Sequence, residues 1–269
     1  MGMLGAPNSF AGATGEWTHI PRKKVSALLI SATTVAGRAS LEHAWEELRR
    51  LYADTSNILL INFASLPHDR DAYAARMQRD FTRIDERFKV RSLHTAAKRD
   101  AAKVVRDAEA VFVSGGNTFL LLRELYDRDT VVLLQERVLS GMPYAGSSAG
   151  SNIGGIEIGT TNDFPITDVP TRRSLGIMPA VYNPHHPDRD EESAFGSRQW
   201  KIRQYASYNP GKPVLGVNNS GMVSVEGDRL SLRGEGAMAT VQLGSASGIV
   251  EDLEDGNISR MVTQLGSEK

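Results

Sequence analysis

The sequence predicts an α/β protein with a mainly parallel sheet flanked by helices and a short antiparallel β extension near the C-terminus. Three observations carry that prediction. Short apolar runs alternate with segments of helical apolar spacing at least five times between Val25 and Ser148. Parallel neighbours need crossover connections, and right-handed crossovers place helices on both faces of a sheet. Beyond about Gly211 the texture changes to short β segments joined by Gly and Asp turns.

The elements follow in chain order. Val25 to Ser31, VSALLIS, is a strand that ends in small residues, and Leu41 to Asp54 carries Leu41, Trp45, Leu48 and Leu51 at helical spacing. Asn57 to Ala64 is a second strand and Asp71 to Phe88 a polar-faced helix. KVRSLHTA is a weaker strand, AKRDAAKVVRDA a helix, and Ala110 to Gly116 a buried strand that breaks on two glycines. TFLLLRELY resumes as helix, and after VVLLQERVLSG the segment Met142 to Ser148 is a strand running straight into AGSNIGG. PVLGV, MVSVEGDRLSLRG and ATVQLG read as antiparallel additions to the same domain. The expected organisation is a loosely ordered extension over 1–24, one α/β domain over 25–250 and a peripheral tail over 251–269.

Composition narrows the chemistry. A chain of 269 residues is ample for an interior core, and the absence of cysteine excludes disulfides, thiolate metal sites and a sulfur nucleophile. Lys and Arg total 31 against 32 Asp and Glu, so no global field would gather nucleic acid or an anionic membrane. No stretch of eighteen apolar residues occurs. The expectation is a soluble, cytoplasmic protein whose partner is a small molecule or another protein, with neither nucleic acid nor membrane and with room for a homodimer.

In a parallel α/β sheet ligands sit beyond the carboxyl ends of the strands, which directs attention to the residues just after each apolar run. Gly146-Ser147-Ser148-Ala149-Gly150 fits G-x-S-x-G, a turn that lifts a serine hydroxyl above the sheet edge. Ser148 is then a candidate nucleophile, and the Ala149 amide, at a helix start, faces a developing oxyanion. Gly115-Gly116-Asn117 follows another strand without either glycine-rich phosphate-binding signature. Gly116 is either a second oxyanion donor or a glycine that merely opens a helix.

A serine needs a base. Of the six histidines, His19, His43, His68 and His94 read as surface or structural, whereas His185 and His186 are bracketed by Pro184 and Pro187 on a non-helical loop. Asp188 and Asp190 lie close by, but a third metal ligand at a recognisable spacing is missing, so neither metal nor organic cofactor is expected.

With these residues in hand the chain resembles the peptidase E family of aspartyl dipeptidases, serine peptidases on a class I glutamine amidotransferase-like α/β fold. The resemblance rests on GGNTFLLL (Gly115 to Leu122), YAGSSAGSN (Tyr144 to Asn152), TTNDFPI (Thr160 to Ile166) and NPHH (Asn183 to His186), in the family's order. It implies Ser148 as nucleophile, His185 as general base, and Gly116 and Ala149 as oxyanion donors. It further implies Asp163, near the substrate's ammonium end, and Asn117 as substrate-binding residues. Arg198 aligns, after one gap, with an arginine that grips the N-terminal aspartate side chain, with Arg203 the fallback and an exposed helical arginine the alternative for either.

One departure stands out. The family's third triad member is a glutamate in V-x-G-x-P-E-G, and here Asn219 occupies its place in Val214 to Ser220. An asparagine can orient an imidazole without stabilising the imidazolium by charge. The resemblance therefore implies a Ser148-His185-Asn219 exopeptidase for Asp-Xaa peptides, unless a carboxylate such as Asp163 supplies the charge. The rivals are a cyanophycinase-like β-aspartyl peptidase and a catalytically impaired aspartyl-peptide binder.

Overall fold

The computed structural model describes residues 24–251, so the extension and tail expected over 1–24 and 251–269 lie outside it except at Lys24 and Glu251. The first half supplies strands β1 (Ser26–Ile30), β2 (Asn57–Ile61), β3 (Lys89–Ser92), β4 (Ala110–Val113) and β5 (Tyr144–Ser147). Between and after them come helices α1 (Trp45–Leu51), α2 (Arg70–Ile84), α3 (Ala101–Asp107), α4 (Thr118–Tyr126), α5 (Val131–Leu139) and the single turn α6 (Ala149–Asn152). The second half adds β6 (Val181–His186), α7 (Glu192–Tyr208), β7 (Val214–Asn218), β8 (Met222–Glu226), β9 (Arg229–Arg233), β10 (Met238–Leu243) and β11 (Ala246–Glu251).

The main sheet has seven strands in the order β3-β2-β4-β5-β1-β8-β9, the first five mutually parallel and the last two antiparallel. Its central strands β1, β2 and β4 are largely apolar because both faces are covered. Along β1, Ala27 and Leu29 face a core shared with Val105 of α3, Leu121 of α4 and Leu134 of α5. Leu28 and Ile30 face the opposite core, formed with Leu48 of α1 and with Met77, Phe81 and Ile84 of α2. Such alternation is the two-residue period of a strand read on a sheet buried on both sides.

The C-terminal β segments do not form one extension. Strand β8 pairs with β1 and carries β9, whereas β7 and β10 build a second, four-stranded sheet in the order β11-β10-β7-β6. Within it β7, expected as an antiparallel addition, runs parallel to β6 and antiparallel to β10. Several predicted boundaries also shorten. The 41–54 and 97–108 helices begin as 3-10 turns at Glu42–Ala44 and Lys98–Asp100, and the 89–96 strand gives way after Ser92 to a 3-10 turn at Leu93–Thr95. Among the described residues no helix is long and apolar enough to cross a membrane.

Candidate active site

Ser148 sits on the turn between β5 and α6 with φ 53 and ψ −112, a backbone conformation that costs a side-chain-bearing residue energy. The flanking glycines explain how the turn closes. A Cβ on Gly146 would lie 2.5 Å from the Gly150 carbonyl carbon, and one on Gly150 would lie 2.1 Å from the Val113 oxygen. Only backbone against backbone fits there. Hydrogen bonds then pin the loop: the Ser148 amide donates to the Ile30 carbonyl at 3.0 Å, and the Tyr144 hydroxyl to the Gly150 carbonyl at 2.5 Å. With α6 reduced to one turn, the Ala149 amide at its start has no long-helix field behind it.

His185 is not on a loop, as its bracketing prolines suggest, but on the last turn of pleat in β6. The register slips there, Asn183 facing Gly216 while His186 faces Asn218, so one residue is bulged out. That residue region includes His185, at φ 55. A bulge re-aims a side chain, and here it turns His185 outward while His186 goes inward. Ser31 fixes the bulge from behind: the His185 amide donates to Ser31 Oγ at 2.8 Å, and that hydroxyl donates to the Val217 carbonyl at 2.9 Å.

Three side chains then fall in line. Ser148 Oγ lies 2.8 Å from His185 Nε2, and His185 Nδ1 lies 2.7 Å from Asn219 Oδ1. An amide oxygen only accepts, so Nδ1 carries the proton and Nε2 is left to accept from the serine hydroxyl. His186 faces a separate environment of Gln199, 3.1 Å from its Nε2, and the Phe195 ring, and burial pushes its pKa down to about 4. The two histidines cannot share a metal from opposite faces of the strand, and among the described residues no group of three His, Asp or Glu side chains could hold one.

The glycine pair after β4 closes the other side of Ser148. Gly116 has φ 133, and a Cβ there would meet the Ala64 oxygen at 2.5 Å; a Cβ on Gly115 would meet Ser148 Cβ at 2.9 Å. The Asn117 amide is taken by Ala64 at 2.9 Å, while among the described residues the Gly116 amide has no protein acceptor. Asn117 caps α4, its Oδ1 accepting from the Leu120 amide at 3.0 Å while Nδ2 donates to the Phe164 carbonyl at 2.9 Å.

Asp163 serves the same helix start. Its Oδ2 accepts from the Thr118 amide at 2.7 Å and the Thr118 hydroxyl at 2.6 Å. It therefore does not supply a carboxylate to His185. Arg198, on α7, is half-buried behind β6 and donates through Nη1 to Asn183 Oδ1 at 2.9 Å and to the His185 carbonyl at 3.2 Å. Burial lowers its pKa from the usual guanidinium value. Arg203, by contrast, is exposed.

An open cavity of about 480 Å³ lies over Ser148, His185 and Asn219 at the carboxyl edge of the parallel strands. Its walls include Gly115 and Gly116, and also Tyr73 and Arg76 of α2, which nothing in the sequence marks beyond their three-residue spacing on one helix face.

A strained serine on a strand-to-helix turn, an imidazole at its hydroxyl and a cavity at the carboxyl edge define an α/β serine hydrolase. The family model described as peptidase family S51 matches residues 27–233. The chain belongs to that family. A protein named peptidase E from Shewanella denitrificans is 35% identical over 211 residues, covering 78% of this chain and 88% of the relative. A protein named probable alpha-aspartyl dipeptidase from Drosophila melanogaster is 36% identical over 231 residues, covering 84% and 92%. The solved structure of a peptidase from an acI-B1 actinobacterium shares the fold at a TM-score of 0.60 and 15% identity, covering 87% of this chain and 97% of the other.

Proposed function

We propose that this chain is a serine exopeptidase that hydrolyses Asp-Xaa dipeptides and short peptides with N-terminal aspartate, through an acyl-enzyme on Ser148. The observation that carries the reading is the unbroken chain of contacts from Ser148 Oγ through His185 to Asn219 Oδ1, at 2.8 and 2.7 Å. The names of the curated relatives support the aspartyl preference and favour neither a cyanophycinase-like enzyme nor an impaired binder.

The steps follow from the atoms. Ser148 Oγ attacks the scissile carbonyl carbon while its proton passes to Nε2 of His185. The oxyanion faces the amides of Gly116 and Ala149, and collapse expels the amine, which takes the proton back from Nε2. Water, deprotonated by the same nitrogen, then releases the acyl group. Asn219 holds the imidazole in the required tautomer, and Arg198 holds the backbone of the base while its Nε and Nη2 remain available to a substrate carboxylate. Asp163 and Asn117 keep the Gly116 turn in place. No cofactor enters this scheme, and a cytoplasmic setting goes with a cysteine-free chain.

The test is hydrolysis of Asp-Leu and Asp-p-nitroanilide by the wild type and by Ser148→Ala. Turnover by the former alone is expected; equal rates would remove Ser148 from the reaction.

A further inference from the structure

We propose that Arg76 is the substrate-carboxylate-binding residue of the catalytic cavity, its guanidinium held over the ring of Tyr73. This rests on the peptidase reading above. Among the described residues that line the cavity, Arg76 is the one permanently charged side chain, and no Asp or Glu shares the walls with it. An anionic group entering beside Ser148 thus meets a single fixed cation.

Its neighbours on α2 make the contrast. Arg70 is paired with Glu124 at 2.7 Å and Arg83 with Asp80 at 3.6 Å, whereas among the described residues no carboxylate lies within ion-pair distance of Arg76. Its partner is instead an aromatic face: the guanidinium carbon stands 4.6 Å from the Tyr73 ring centroid. The Tyr73 hydroxyl also hydrogen-bonds the guanidinium, and the exposed remainder of the planar N–H fork has the geometry that takes a carboxylate through two parallel hydrogen bonds. Tyr73 and Arg76 stand one helical turn apart, so both reach the same space above β2 and β4. Arg198 is placed differently, spending Nη1 on β6 and standing outside these walls.

An Asp-Xaa dipeptide offers two carboxylates, the aspartyl side chain and the C-terminus, and the experiment separates them. Wild type, Arg76→Ala and Arg76→Lys are assayed on Asp-Leu and on its C-terminal amide. Arg76→Ala is expected to raise KM for Asp-Leu roughly 10- to 100-fold with kcat little changed, the range for one hydrogen-bonded charge, and Arg76→Lys to recover part of the loss. A penalty that vanishes on the amide assigns the C-terminal carboxylate; one that persists and is relieved by lysine assigns the aspartyl side chain. An unchanged KM, or a loss carried by kcat or untouched by lysine, overturns the proposal. Failure of the wild type to cleave Asp-Leu counts against the peptidase reading instead. Calorimetric titration of Asp-Leu into Ser148→Ala, with and without Arg76→Ala, then decides the role of Arg76: weaker or lost binding without the arginine supports it, and equal binding overturns it.

Discussion

Asn219 Oδ1 accepts the Nδ1 proton of His185 at 2.7 Å, so the imidazole is oriented by a neutral group where a charged one would also stabilise its protonated form. Asn219→Ala should lower kcat on Asp-Leu by roughly 10- to 100-fold, less than the ~10⁴-fold loss seen when a triad carboxylate is replaced in a protease built around it. Asn219→Asp should raise kcat above the wild type at neutral pH. Steady-state kinetics on the two variants checks both signs.

Asp163 is bonded to the first turn of α4 and not to the base. Asp163→Ala should cost about 0.5–2 kcal/mol, the value of a helix cap, read as a lower urea midpoint. Because Thr118 follows the Gly116 turn, kcat should fall with it, while KM for Asp-Leu moves less. A selective rise in KM would instead return Asp163 to the substrate's ammonium.

Gly115 leaves no room for a methyl beside the nucleophile, its added Cβ lying 2.9 Å from Ser148 Cβ and 3.5 Å from Oγ. Gly115→Ala should slow fluorophosphonate labelling of Ser148 with a small effect on melting temperature. Gly150→Ala, whose Cβ would sit 2.1 Å from the Val113 oxygen, should instead destabilise the fold by ~1–3 kcal/mol or more.

His186 is buried and its pKa is lowered from 6.5 to about 4, chiefly by desolvation. Below pH 6.5 the unfolded chain binds a proton that the folded chain refuses, so stability is full above that pH and declines as pH falls towards about 4. Melting temperatures across that window should drop for the wild type, and His186→Gln should flatten the part of the slope owed to this residue.

The alternation of apolar runs and the glycines around Ser148 made the parallel sheet and the elbow legible, because both depend on local sequence. The split of the C-terminal strands was not. MVSVE and ATVQL have the same local texture, and only long-range pairing, with β1 for one and β7 for the other, sends them to different sheets. The proline-flanked histidines pointed to irregular backbone, which is present, but a bulge depends on a partner strand that the segment itself does not specify. Asn219 could be placed by family spacing, whereas its contact with His185 depends on the pairing of β7 with β6. Arg76 could not, since it is one of several arginines on a polar helix and only the packing of α2 against β3 brings it to the wall of the cavity that holds Ser148.

Ser31, donating to Val217 and accepting from His185, joins the two sheets at the point where the reaction would occur. The nucleophile stands on the first sheet, whereas its base and the base's orienting amide come from the second. During synthesis the ribosome delivers Ser148 before β6 and the residue after β7, which carry His185 and Asn219. A nascent chain that ends after β5 consequently has the serine without its base, silent until β6 and β7 dock.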